Sequence, residues 1–186
     1  NVVRELAEKT AFYTMYGIGE YTFAPYKVVW KRMASDLEAV VLSKIKTPIG
    51  EKDVIPTDTT SLIPFKSAEE AHYVCAILNS SPVRFYVRSY SSGGRGFGAP
   101  SIIRHFGIPK YDKEKEIHWR VSELSKRAHT LAKRDYEQND LQAREELKEV
   151  EGEIDKAVAE LYGITGEELE DVRRTLGILK GEDVER

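Results

Sequence analysis

The chain has 186 residues, 41% of them hydrophobic and 32% charged, with a net charge of −3. That length suffices for one ordinary domain with an appendage, and no apolar run approaches the roughly 18 residues of a membrane helix. The single cysteine, Cys75, excludes an internal disulfide and any multi-cysteine zinc cluster, which fits a reducing, cytoplasmic setting without a membrane partner.

The opening NVVRELAEKTAF carries Val3, Leu6, Ala7 and Thr10 at helical spacing. It starts mid-helix, without initiator Met or secretory leader, and so predicts a piece of a longer polypeptide. Two β-branched and aromatic runs follow, Tyr26 to Met33 and Leu37 to Ile45, which predict an antiparallel pair. KTPIGEKD reads as a loop. VIPTDTTSLIPF offers one or two short strands, which Pro56 and Pro64 confine to edges or ends.

The period then changes. Ser67 with Glu70 has the pattern of a capping box, and the helix behind it places Ala71, Val74, Cys75 and Leu78 on one face. Ser81 and Pro82 read as the cap and first position of a second helix, PVRFYVRSY, although the same run also alternates as a strand does. On the helical reading Arg84 and Arg88 point the same way, and Tyr86 and Tyr90 join Val83 and Val87 on a core face. A glycine-rich stretch follows, SSGGRGFGAP, then the apolar segment SIIRHFGIP and the linker KYDKEKE.

Everything beyond is helical. Ile117, Val121, Leu124, Ala128 and Leu131 alternate steps of four and three, as do Leu147, Val150, Ile154, Ala157 and Leu161. YEQND breaks the register between them. The pattern predicts two helices, or one long helix with a defect, either paired antiparallel or packed back on the front of the chain. Each seam is short, which fits an amphipathic packing helix better than an oligomerising coiled coil. Thr165 with Glu168 caps a third helix. The fold class expected is α+β: a small mixed or antiparallel sheet with packed helices, then a helical, coiled-coil-like C-terminal region. The expected division is residues 1–20 as an N-terminal helix and linker, 21–111 as the domain with the sheet, and 112–186 as the helical region.

Charge divides the chain at the same place. From Asp112 onward 14 Lys/Arg face 21 Asp/Glu, whereas residues 1–111 carry 14 against 10. No acidic residue lies between Glu70 and Asp112, a segment that holds Arg84, Arg88, Arg95, Arg104 and Lys110. Such a bias is either the footprint of a polyanion or a solvated basic face.

The glycines fit no nucleotide motif. A Walker loop needs Lys and Ser or Thr after its last glycine, where this chain has Ala99 and Pro100, and the βαβ context of a dinucleotide site is absent. His72, His105, His118 and His129 have no metal spacing and read as packing or surface residues. Cys75 falls on an apolar helix face, and no nucleophile elbow is present, so no catalytic or metal-ligating residue is assigned. Binding remains: arginines for phosphates, planar rings for bases or sugars, and glycines for close approach.

Four stretches, YKVVWKRM, AHYVCAILNSSPVRFYVRSY, GGRGFGAPSIIRHFGIPKYD and AVAELYGITGEELEDV, occur in this order from about Tyr21 to about Leu176. In that order and spacing the chain resembles the C-terminal target-recognition region of adenine-specific DNA methyltransferases, the group with TaqI-like specificity domains and fused restriction-modification enzymes. The individual marks are Leu78-Asn79-Ser80, the glycine-rich turn, Ile108-Pro109 and Leu161-Tyr162-Gly163. The resemblance implies a recognition domain that grips double-stranded DNA while an upstream methyltransferase domain of the same parent chain flips the adenine. S-adenosylmethionine would belong to that upstream domain, since neither its glycine motif nor an Asn/Asp-Pro-Pro-Tyr motif stands here; this stretch would bind no cofactor itself.

On charge and position, Arg95, Phe97, Arg104 and His105 are assigned to DNA contact around the glycine stretch. Arg84 and Arg88 are assigned to phosphates, and Lys27, Lys31 and Arg32 to contact from the first strand, with Lys27 and Lys31 on one side and Arg32 on the other. The glycines either let the Arg95 loop approach DNA or make a tight connection into the last strand of the domain. A second reading of the whole is a structural or protein-interaction helical module docking onto another subunit of a restriction complex.

Overall fold

The computed structural model describes residues 18–90, 103 and 106–180. The helix expected over residues 1–15 and the whole glycine-rich stretch, 91–100, lie outside them. Strand β1 (Tyr26–Lys31) is the centre of a three-stranded antiparallel sheet, flanked by β2 (Ala39–Leu42) and β5 (Thr60–Phe65). The predicted pair forms, with Val28 opposite Val41 and Trp30 opposite Ala39. Pro64 sits on an edge strand as its missing N–H requires, opposite Lys27.

KTPIGEKD is not a plain loop. It carries a separate two-stranded ribbon, β3 (Ile45–Thr47) and β4 (Gly50–Lys52), joined by Pro48-Ile49. Gly50 takes φ +108, open to glycine without strain, and Thr47 Oγ1 donates to the Gly50 carbonyl at 2.6 Å across the turn.

Helix α1 (Ala68–Asn79) starts at Ser67, whose hydroxyl accepts the Glu70 N–H at 3.3 Å and donates to the Glu69 carboxylate at 2.7 Å. Its apolar run is buried on nearly every side because it lies between the sheet and helix α3 (Glu116–Gln138). Burial of Ala71, Val74, Cys75 and Leu78 follows the spacing, and Tyr73, Ala76 and Ile77 are buried with them. Helix α2 (Ser81–Tyr90) resolves the helix-or-strand ambiguity: Val83 and Val87, one turn apart, are fully buried.

Helix α3 pairs with α4 (Leu141–Tyr162). Asn139 bridges them in the left-handed conformation, φ 52 and ψ 41, which asparagine tolerates. Asp140 then caps α4 by accepting the Ala143 N–H at 3.0 Å. Ion pairs between Arg120 and Glu160 and between Arg127 and Glu153 show that the two run antiparallel. All ten seam residues enter the core, which also takes in Val28, Trp30 and most of α1. The seams are therefore spent inside the chain, and the helices both pair antiparallel and pack on the front of the molecule.

Helix α4 ends at Gly163, φ +69, whose N–H and that of Ile164 turn back on the last carbonyls. Helix α5 (Gly166–Lys180) starts from a complete capping box, Thr165 Oγ1 accepting the Glu168 N–H at 3.3 Å and Glu168 accepting the Thr165 N–H at 2.8 Å. It packs on α2 and α4. The architecture is α+β, with a helical C-terminal region. Among the described residues no helix is long and apolar enough to cross a membrane.

Candidate nucleic-acid interface

Helix α2 organises the basic face. Arg84 forms an ion pair with Asp36, in the connection between β1 and β2, and its Nε donates to the same carboxylate at 3.1 Å. Arg88, one turn on, is half-buried. Lys31 and Arg32 are exposed at the end of β1, and Arg32 N–H donates to the Thr59 carbonyl at 3.0 Å.

Lys27 is elsewhere. It is only 2% exposed and its ammonium donates to the Ala24 carbonyl at 2.8 Å. Alternation misleads here because a central strand is covered on both faces: Val28, Val29 and Trp30 are buried beside it. Lys27 is thus withdrawn from the surface set, and Arg84 offers a cation already held by Asp36. Arg95, Phe97, Arg104 and His105 lie outside the described residues.

The two ends of the segment 91–105 meet on one ring. Tyr86 packs against Tyr90 at 4.7 Å between centroids and against Phe106 at 5.2 Å. Phe106 continues onto Tyr162 at 5.2 Å, and the Tyr162 hydroxyl donates to the Gly107 carbonyl at 3.1 Å. Tyr86 is half-buried as expected, but Tyr90 is 67% exposed, a correction to its assignment as core. It occupies the last turn of α2, beyond the helices that cover Val83 and Val87. The residues from Phe106 to Asp112 form no strand, and the glycines themselves lie outside the described residues.

The marks of the family resemblance have structural work to do. The Asn79 amide accepts the Ala39 N–H and donates to the Ala39 carbonyl, both at 2.8 Å, tying α1 to β2. Ser80 Oγ donates to the Ile77 carbonyl at 2.7 Å, while Gly163 ends α4 and Ile108 packs on the core.

Buried polar groups cluster at two further places. Asp155 accepts Ser81 N–H and Ser81 Oγ, each at 2.7 Å, and Arg173 Nε at 3.0 Å. A cleft of about 310 Å³ opens beside it, edged by Arg84, Lys148 and Glu151. The three donors engage both oxygens of the Asp155 carboxylate and tie together α2, α4 and α5. Sequence spacing could not reveal this group, because Ser81 and Asp155 are 74 residues apart.

At the other place the His72 ring meets His129 edge-on at 4.8 Å. His129 Nε2 accepts the Val41 N–H at 3.0 Å and its Nδ1 faces the Ser125 carbonyl at 2.8 Å, which fixes the tautomer with the proton on Nδ1. His118 is buried and accepts the Asp112 N–H at 3.0 Å. These three histidines are packing residues, and among the described residues no group of three side chains is placed to hold a metal. Cys75 is fully buried, its thiol pushed up to about 12 by that burial, and it donates to the Ala39 carbonyl at 3.4 Å.

Comparison with known proteins gives one partial likeness. Over 77 residues, 41% of this chain, it is 32% identical to the Type II methyltransferase M.NspV of Nostoc sp.. The chain spans about 15% of that protein's length. No family model matches, and no solved structure matches. The likeness is to a methyltransferase-related sequence.

Proposed function

We propose that this chain is a recognition module that reads duplex DNA for an adenine-specific methyltransferase of a restriction-modification system. Its similarity to a Type II methyltransferase carries the reading. Three features support it. The segment between Glu70 and Asp112 holds no acid. Tyr90 and Phe106, the described residues on either side of its glycine-rich portion, both pack on Tyr86, which holds the two ends of that portion close together on the basic segment. Lys31 and Arg32 add exposed cations.

In this reading residues 21–111 recognise DNA, residues 1–20 lead in from an upstream methyltransferase domain, and residues 112–186 buttress the recognition part. Arg95, Phe97, Arg104 and His105 contact bases or backbone, while Lys31, Arg32 and Arg88 meet phosphates. The methyl donor and the chemistry belong to the upstream domain, and the setting is cytoplasmic.

The test is a salt titration of binding to random-sequence duplex, followed by selection and sequencing of the retained molecules. A short enriched motif is expected, with affinity falling as salt rises by a log–log slope of roughly −0.9 per phosphate contacted. No binding at low salt overturns the reading.

A second reading, a helical module docking onto another subunit, draws on the tip of the α3–α4 hairpin. There Tyr136 is 92% exposed and Leu141 64%. Binding to a partner that persists at high salt, without DNA affinity, favours it.

A further inference from the structure

We propose that the β3–β4 ribbon is a DNA-contacting arm that enters the major groove with the face carrying Ile45, Thr47 and Lys52, and with Ile49 at its tip. The inference rests on the reading of the chain as a DNA-recognition module and adds an element that lies apart from the glycine stretch.

The ribbon contributes little to the fold. Its strands pair only with each other, and every strand residue except Thr47 is exposed. Two strands alone are marginal in water. Yet the arm holds Ile49 81% exposed and Ile45 52% exposed while the core lies elsewhere. Two large aliphatic groups held in solvent on one short, separately paired ribbon are available for contact.

Register decides which face is offered. Ile45 stands opposite Lys52, Lys46 opposite Glu51, and Thr47 opposite Gly50. Residues directly opposite share a face, and successive residues alternate. One face therefore carries Ile45, Thr47 and Lys52 with no carboxylate among the strand residues. The other sets Lys46 against Glu51. The first face combines a cation for phosphate with aliphatic groups that fit the C5-methyl of thymine, and Lys44 enters the arm beside it.

Dimensions agree. Neighbouring strands lie about 4.8 Å apart, and a groove about 12 Å wide admits a two-stranded ribbon. The arm leaves the sheet beyond Leu42, which pairs with Lys27, whereas Lys31 and Arg32 stand at the other end of β1. Four strand residues span roughly 14 Å at about 3.4 Å each. That is less than half of the ~34 Å helical repeat of DNA, so one duplex can reach both.

The experiment measures binding of the whole chain to the duplex enriched by the selection above, synthesised with thymine or with uracil. Wild type is expected to bind the uracil duplex roughly fivefold more weakly, since one buried methyl group is at stake. Ile49→Ser should bind the thymine duplex with the same deficit and lose the discrimination. Lys52→Ala should reduce the log–log salt slope by about 0.9. Both substitutions are on exposed positions, and unchanged thermal midpoints verify folding.

If both variants bind like wild type and keep its thymine preference, the arm is outside the groove while the DNA reading stands. If no duplex is enriched by wild type, both readings fall. Variants that bind DNA normally but lose a protein partner place a protein, not DNA, on the arm and overturn the proposal.

Discussion

The Asp155 carboxylate receives both the backbone N–H and the hydroxyl of Ser81, each at 2.7 Å, so a residue of α4 caps the first turn of α2 from 74 positions away. Arg173 on α5 closes the triangle at 3.0 Å. Removing the carboxylate leaves the two Ser81 donors without their acceptor and takes one of three acceptors from the Arg173 guanidinium, which keeps Glu170 and the Gly152 carbonyl. Asp155→Ala is expected to cost about 3 kcal/mol. For a chain of this size that lowers the thermal midpoint by roughly 6 to 12 °C. Asp155→Asn should lie between it and wild type. Calorimetry checks the order, and an unchanged midpoint for the alanine variant would show the cluster to be idle.

Acid should weaken the fold through His72. Burial, then the positive charges available to His129 and Lys126, lowers its pKa from 6.5 to about 4, against a weaker upward pull from Glu123 and Glu69. His129 is shifted in the same direction by burial, partly countered by its bond to Ser125. The unfolded chain takes up its proton first as the pH falls. The stability is thus complete above about pH 6.5 and drains away as the pH drops toward 4, by an amount on the order of 2 kcal/mol. Urea denaturation at pH 7.5 and at pH 5 tests this; the loss should shrink in His72→Gln.

Tyr73 offers a stabilising substitution. It is fully buried among Tyr111 and His118, with ring centroids at 5.4 Å and 4.7 Å, and among the described residues its hydroxyl has no hydrogen-bond partner. Burial pushes that hydroxyl up to about 12. Tyr73→Phe removes an unsatisfied polar atom while keeping the ring, and should raise stability by about 1 kcal/mol. A clear drop in midpoint would mean that the hydroxyl is engaged after all.

Asp36 restrains a cation. Because Asp36 pairs with Arg84, Asp36→Ala removes the negative charge beside that guanidinium. At low salt the variant should bind mixed-sequence duplex more tightly than wild type, by roughly threefold to tenfold, and the gain should vanish at high salt. Arg84→Ala should change binding far less. Fluorescence anisotropy at two ionic strengths decides; equal affinities would separate Arg84 from the DNA surface.

Local chemistry made much of the fold legible. β-branched runs gave the β1–β2 pair, and Pro64 marked an edge. Thr165 with Glu168 gave a reciprocal box, and the spacing from Ile117 to Leu161 gave the buried seam. What stayed hidden depends on neighbours distant in sequence. Lys27 falls on the same side of its strand as the exposed Lys31, yet nearer the sheet centre both faces of the strand are covered. The ribbon strands are three residues each, too short for any period to show. Tyr90 shares a helical face with Val83 and Val87 but extends past the elements that bury them. At the candidate interface, sequence charge located the basic segment but could not show that Arg84 is already engaged by Asp36.

The tie between Asn79 and Ala39 bears on how the protein behaves in a crowded solution. Along β2 the N–H groups of Ala39 and Val41 are taken by side chains, Asn79 from α1 and His129 from α3. Their spacing of two places both on the strand's outward side. On the opposite edge Pro64 lacks the N–H that a newcomer would need. Each border of the sheet thereby lacks backbone donors that a strand from another molecule would need, which hinders the usual route from a small exposed sheet to fibrous aggregates. Replacing Asn79 would loosen α1 and reopen one of those borders in the same step.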